Sequence, residues 1–218
     1  MATIIVTDLT HFNRPNTVCI AGIDIDNHNC VRPLPYFTPQ QVQQHNIQPG
    51  VRIILDGNFA GAQPPHCEDF NYNRARIGEY SPQQFQEILE NILSPNIEAG
   101  FGVGEIDGKC INYENPPAHS IITIAISGRG IRAVADEYTD TKIKIHIIDN
   151  DAKEYSFLPC AQLVWHNAAE NDRAMAIRDF NNYSRQFGQV YVRVGVGRRH
   201  AVAGRDGFWL QLNGVYGF

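Results

Sequence analysis

Val190, Val192, Val194 and Val196 alternate with Tyr191, Arg193, Gly195 and Gly197, and this strict period of two constrains the fold more than any other stretch of the chain. Such a period marks a strand with one apolar and one polar face. A second strand is expected from Phe208 to about Tyr216, with Leu210 and Leu212 on one side and Trp209, Gln211 and Asn213 on the other. The residues between them, Arg198-Arg199-His200-Ala201-Val202-Ala203-Gly204-Arg205-Asp206-Gly207, form a basic connection. The pattern predicts a β-hairpin whose outer face carries Tyr191, Arg193, Trp209, Gln211 and Asn213, with Arg198, Arg199 and Arg205 at its tip. Rings and guanidinium groups on an exposed sheet suit bases and phosphates. From Gln189 onward the chain holds four Arg and one Asp, whereas the whole carries a net charge of −5. A basic patch on an acidic protein is a local electrostatic footprint. The acidic balance argues against a non-specific coat on duplex DNA, which calls for a basic domain.

The rest of the chain reads as short strands with a few helices among them. Strands are expected at Thr3 to Val6 and Thr17 to Ile25, with a polar loop from Thr10 to Asn16 between them. Asp26-Asn27-His28-Asn29 turns the second strand into Cys30-Val31-Arg32-Pro33, a hairpin in which Asp24 and Asp26 are turn chemistry. Thr38-Pro39-Gln40-Gln41 and Ser81-Pro82-Gln83-Gln84 are helix starts, with a hydroxyl cap and proline in the first turn. After the second, Phe85, Ile88, Leu89, Ile92 and Leu93 fall on one helical face. Val51 to Leu55 is a strand, and Asn58 to Pro65 a Gly/Pro loop leading into His66-Cys67-Glu68-Asp69. Further strands are expected at Ile121 to Ile126, Ile131 to Ala135, Lys142 to Ile148 and Tyr155 to Leu158, then one helix from Ala168 to about Phe187. Strand follows strand with no regular βαβ alternation, which favours small antiparallel barrels or a sandwich over a parallel sheet. The expected division is residues 1–95, a connecting segment 96–117 that still buries Phe101, Ile106 and Ile111, and residues 118–218.

The five cysteines show no C-x-x-C spacing and do not cluster with paired His, so neither a disulfide framework nor a structural zinc is expected. The N-terminus lacks a basic region followed by a long apolar run, and no apolar run reaches bilayer length, so a cytoplasmic protein without a membrane association is expected.

Several of these residues resemble a family of largely uncharacterised microbial chains, the dual OB-fold domain proteins. The resemblance is carried by Cys19-Ile20-Ala21-Gly22-Ile23-Asp24 running to Val31-Arg32-Pro33, by Pro65-His66-Cys67-Glu68-Asp69, and by Ser120-Ile121-Ile122-Thr123-Ile124. It ends on Arg193-Val194-Gly195-Val196-Gly197-Arg198 and Trp209-Leu210-Gln211-Leu212-Asn213-Gly214-Val215-Tyr216. It implies a mainly β chain with some α content, folded as two tandem OB-like barrels with a few helices. It also implies a role in binding nucleic acid or a nucleotide, and the rings and arginines of the closing hairpin point to single-stranded nucleic acid or a nucleotide as the partner. The chain departs from the family at Gly197, where a hydroxyl residue is expected before Arg198.

The expected ligand contacts are Arg14, Arg32, Tyr191, Arg193, Arg198, Arg199, Arg205, Trp209, Gln211 and Asn213. No cofactor and no metal is expected. Two alternatives stand beside this reading. His66, Glu68 and Asp69 place a His and two carboxylates within four residues, the makings of an acid/base pair in an enzyme acting on a nucleotide or nucleic acid. The Trp, Tyr and Arg face equally suits a protein partner, making the chain an adaptor.

Overall fold

The computed structural model describes residues 1–12, 14–202 and 204–218. Asn13, in the expected loop before the second strand, and Ala203, in the expected hairpin tip, lie outside the described residues. The chain is mainly β and divides into two compact units, Met1–Ile92 and Leu93–Phe218.

The first unit runs β1 (Ala2–His11), β2 (Val18–Asp24), β3 (Cys30–Leu34), α1 (Pro39–Gln44), β4 (Val51–Phe59), β5 (Asp69–Tyr80) and α2 (Pro82–Glu90). Its strands close into a barrel in the order β1-β2-β3-β5-β4. Only β3 and β5 pair in parallel, and α1 links the third strand to the fourth. That is the five-stranded Greek-key barrel of the OB fold. Ile4, Ile20, Val31, Ile53, Leu55 and Phe70 fill its interior. Both helix starts are as the sequence specifies. Thr38 and Gln41 form a reciprocal capping box, and the Ser81 hydroxyl accepts from the Gln84 amide. Phe85, Ile88 and Leu89 are buried, but α2 stops at Glu90 and leaves Leu93 exposed. The sequence pattern missed β5. Its register slips twice against β4, so the apolar residues that face inward, Phe70, Ala75 and Ile77, never fall on one unbroken period of two.

The second unit runs β6 (Leu93–Ser94), α3 (Ile97–Phe101), β7 (Cys110–Asn112), β8 (Ile121–Ser127), β9 (Ile131–Ala135), β10 (Ile143–Ile148) and β11 (Glu154–Pro159). It continues with α4 (Leu163–Asn171), α5 (Arg173–Arg185), β12 (Gln189–Val196), β13 (His200–Val202) and β14 (Arg205–Tyr216). The turn at Gly128-Arg129-Gly130 breaks one long first strand into β8, which pairs with β12, and β9, which pairs with β10. β10 pairs with β11, and just past β11 Cys160 makes a parallel bridge to Leu212 of β14. β14 returns to β12. The strand order is therefore that of the first barrel, with β10 and β11 as second and third strands and β12 and β14 as fourth and fifth. The α5 helix covers the edge of β9, where the Asn181 amide bonds both the N–H and the C=O of Ala133.

Residues 96–117 pack within the second unit: Ile97, Phe101, Ile106 and Ile111 belong to its core, with Phe101, Ile106 and Ile111 buried as expected. Glu98 ties the segment down, accepting from the Lys153 ammonium at 2.6 Å and the Ile106 amide at 2.8 Å. The helix expected from Ala168 to Phe187 is two helices. Asp172 takes an extended conformation and caps α5 through the Met175 amide, so the chain breaks there. Among the described residues no helix is long and apolar enough to cross a membrane.

The Glu98 contact carries a pH dependence. The hydrogen-bonded Lys153 ammonium, helped by the Ile106 amide and opposed by burial, holds the Glu98 carboxyl below its ordinary value. A depressed folded value contributes stability that is complete above the unfolded value of about 4.3 and lost as the pH falls through the folded one. Glu98→Gln is expected to cost the second unit about 1 kcal/mol at neutral pH. The gap to the parent should close on acidification below the unfolded value. Urea midpoints followed by tryptophan fluorescence measure it, because Trp165 and Trp209 both lie in that unit.

Candidate nucleic-acid interface

The closing hairpin forms as the alternation specifies, with Val190, Val192, Val194, Val196, Leu210 and Leu212 all buried on one side. Its other side is a correction. Tyr191, Arg193 and Asn213 are buried, Gln211 is half-buried, and Arg193 is only 1 % exposed. The Arg193 guanidinium donates to Thr123 Oγ1 at 2.8 Å. Tyr191 meets the Phe218 ring edge-on, and the Asn213 side chain lies over Gly195 where any Cβ would stand. Alternation separates the two faces of a strand but does not say whether the polar one meets water, and here both are covered. The working face expected of Tyr191, Arg193 and Asn213 is therefore absent.

The tip is exposed, and it is ordered by its own charges. Arg199 grips Asp206 with both arms of its fork, at 3.0 and 2.7 Å, and stacks 3.7 Å above the Tyr113 ring. Arg205 pairs with Asp107 at 3.0 Å. The half-exposed Trp209 donates its indole N–H to the carbonyl of His200 and lies against that ring. Arg198 is exposed beside them. By strand order this tip is the loop between the fourth and fifth strands of the second unit, whose β9–β11 and β8–β12–β14 strands form two sheets bridged at Cys160 and Leu212. In OB folds that loop, the first-to-second-strand loop and the face of strands two and three take oligonucleotides.

That face holds groups the sequence pattern did not reveal. Opposite His146 on β10, β11 bulges outward with Ser156 and Phe157. Phe157 has a left-handed φ of 58°, rare for a bulky residue, and 43 % of it is exposed. Its ring stands edge-on to His146 at 4.6 Å. His146 Nδ1 lies 2.9 Å from Ser156 Oγ, 3.1 Å from Glu154 Oε1 and 3.3 Å from the Arg132 guanidinium. A serine-protease relay needs the hydroxyl and the carboxylate on opposite ring nitrogens. Here both meet Nδ1, and Nε2 is buried with no partner among the described residues. The cluster braces the bulge. The Ser156 hydroxyl first, then His146, hold the Glu154 carboxyl low.

Lys109 and Lys144 join the parts into one surface. The Lys109 ammonium donates to the Phe157 carbonyl at 2.8 Å, and its own carbonyl accepts from Leu210 at the base of the tip hairpin. Lys144 pairs at 3.2 Å with Asp136, which opens the loop from the first barrel strand to the second. Arg173 of α5 pins that loop through the carbonyls of Asp136 and Thr139 and through Asp140. Tyr138 at its crest is 90 % exposed. The signal for it in the sequence is a lone aromatic in a polar run, Asp136-Glu137-Tyr138-Thr139-Asp140.

In the first unit the structure brings together Arg32, His66, Glu68 and Asp69. Arg32 reaches Asp69 at 2.6 Å, Glu68 at 3.2 Å and His66 Nδ1 at 3.2 Å, and all four are buried. Its backbone N–H donates to the Glu68 carbonyl where β3 and β5 run parallel. Burial pulls the guanidinium pKa down, and Glu68 and Asp69 more than offset it, so Arg32 stays charged. Desolvation pushes the Cys19 thiol up to about 11, which keeps it protonated. The arrangement is a clamp that fastens the loop between β4 and β5 to the barrel wall. Arg14 stands apart, exposed, 5.8 Å from the centre of the Phe12 ring. Asp24 accepts from the Asp26 amide at 2.9 Å, the turn contact expected of it. Among the described residues no group of three or more His, Cys, Asp and Glu is placed to hold a metal ion.

No family model matches the chain, and no curated protein matches it. Among the solved structures that resemble it at low similarity are the following three. One, described as a molecular basis for abrogation of activation of pro-inflammatory cytokines, aligns with a TM-score of 0.37 and 11% identity over 97% of this chain and 91% of the other. The Ifi202 HINa domain in complex with 20-bp dsDNA gives 0.35 and 10% over 97% and 94%. A replication protein A heterotrimer bound to ssDNA gives 0.37 and 11% over 96% of this chain and 48% of that one. The OB-like fold of both units rests on their strand pairing.

Proposed function

We propose that the second unit binds single-stranded nucleic acid, or the nucleotide end of a strand, across the outer face of β10 and β11. The loop carrying Tyr138 and the tip carrying Arg198, Arg199, Arg205 and Trp209 flank that face. The observation that carries this reading is the pair of aromatic rings, Tyr138 and Phe157, held in solvent by fixed backbone contacts at two of the positions where an OB barrel meets its ligand. An exposed ring costs solvation, and Tyr138, with 90 % of it in water, has little to offset that cost in the free protein. Stacked on a base it is worth about 1–3 kcal/mol. Lys109, Lys144 and the tip arginines supply the charge for phosphates, and Gln211 lies half-buried on β14, the strand that also carries Arg205 and Trp209.

Fluorescence anisotropy of short labelled RNA and DNA strands tests it. Tyr138→Ala/Phe157→Ala is expected to weaken binding by about 30-fold or more, two stacking contacts being lost. Arg198→Ala/Arg199→Ala/Trp209→Ala should weaken it and flatten its salt dependence. Absence of binding by the parent protein at low salt overturns the reading.

A further inference from the structure

We infer that the outer face of the β4–β5 hairpin in the first unit is a second contact for nucleic acid, holding the sugar–phosphate backbone through Arg52, Arg74 and Arg76. The inference extends the reading above from one unit to both and takes its class of ligand from it. The first unit has no lysine and five arginines against nine Asp and Glu, so its positive charge is scarce and acidic groups outnumber it. Three of those five arginines stand on this one face.

The register places them. Ile53 pairs with Ile77 and Leu55 with Ala75, and these point into the barrel or along its wall. The alternate pairs, Ile54 with Arg76 and Asp56 with Arg74, therefore point outward. Arg52 lies on the same side next to Gly78, where a Cβ would stand 3.4 Å from the Arg52 Cβ. Residues two apart on a strand are about 6.6 Å apart, so Arg74 and Arg76 form a regularly spaced row. Gly78 extends the row without a side chain, leaving room for a close approach.

Asp56 faces the same way opposite Arg74 but makes no ion pair with it among the described residues. Arg74 and Arg76 are exposed, and among the described residues none of the three arginines has a carboxylate within ion-pair distance. Arg52 donates to the Gln84 side chain at 2.9 Å, a neutral partner that orients the fork and leaves its charge intact. The tip of the second unit differs, since Arg199 and Arg205 are each paired with an aspartate there. A planar guanidinium matches a phosphate bidentately, and a row of them along an extended strand matches a polymer with one charge per repeat.

The test is anisotropy of the full chain with a long fluorescein-labelled oligothymidylate between about 50 and 200 mM salt. Arg74→Gln/Arg76→Gln touches only exposed side chains. It is expected to lower affinity about 10-fold or more at the low-salt end and to reduce the slope of log K against log salt by about 1.4. Arg74→Lys/Arg76→Lys should restore most of the slope. Unchanged affinity and slope in the Gln variant overturn this inference, and loss of binding in Tyr138→Ala/Phe157→Ala alone then still upholds the reading of the second unit. The converse, binding that survives the aromatic variant and falls in the Gln variant, overturns that reading and keeps the strip. A parent protein that does not bind overturns both. If polyglutamate competes as well as unlabelled oligothymidylate, the strip serves acidic polymers at large and its assignment to nucleic acid falls.

Discussion

Arg32→Ala is expected to destabilise the first unit by about 3–5 kcal/mol, because it removes the buried cation that Glu68 and Asp69 share. Taking one partner out of a buried ion pair costs far more than losing a hydrogen bond. The loop between β4 and β5 also loses its fastening to β3, since Arg32 holds Glu68, Asp69 and His66 at once. Arg32→Lys keeps the charge but cannot make the forked contact to both carboxylates, and should fall between the parent and the alanine variant. Arg32→Met combined with Glu68→Gln and Asp69→Asn removes all the charges together and should recover much of the loss. The tryptophans report only on the second unit, so the readout must come from elsewhere. Hydrogen exchange of the β1–β5 amides gives it: protection there should collapse toward that of a partly unfolded barrel while β12 and β14 remain protected. Unchanged exchange in β3 and β5 would show that the cluster is not a clamp.

The same cluster shows how far sequence reasoning reaches. In the sequence His66, Glu68 and Asp69 stand out because a His and two carboxylates close together can do acid–base chemistry. Arg32 is a separate candidate, thirty-four residues from His66. Nothing in the local pattern says that a parallel pairing of β3 with β5 will bring the four together, because a parallel neighbour is set by the topology of the whole barrel. Local chemistry was legible wherever it was truly local. The Thr38 and Ser81 caps, the Asp24 turn and the apolar face of β12 and β14 each depend on residues within a few positions of one another. What failed depended on displaced register or on distant contacts. The bulges of β4 and β5 hid β5, a single cap at Asp172 split a continuous helical stripe, and the β11 bulge lifted Phe157 out of a strand that reads as ordinary. In Glu154-Tyr155-Ser156-Phe157-Leu158 a strict period of two would put Phe157 on the buried face with Tyr155, and Leu158 on the other. Only the left-handed turn of its backbone sends the ring outward.

Arg193→Ala is expected to cost about 3–5 kcal/mol, as truncation of large core side chains does, and to leave the nucleic-acid affinity of the folded protein unchanged. Arg193 is the largest fully buried side chain among the described residues, and its guanidinium holds Thr123 across the β8–β12 pair. Removing it leaves a cavity and an unpaired hydroxyl in one step. The charge that made Arg193 look like a phosphate contact is thus spent inside the protein, where no phosphate reaches it. The measurement pairs urea unfolding by tryptophan fluorescence with anisotropy at a temperature where the variant is folded. Reduced stability with intact binding places Arg193 in the architecture of the sheet and leaves ligand contact to groups that meet solvent, Tyr138, Phe157 and the tip. A folded variant of normal stability that no longer binds would mean that the outer face of β12 opens to its ligand, and that the alternation of the closing strand was a functional pattern after all.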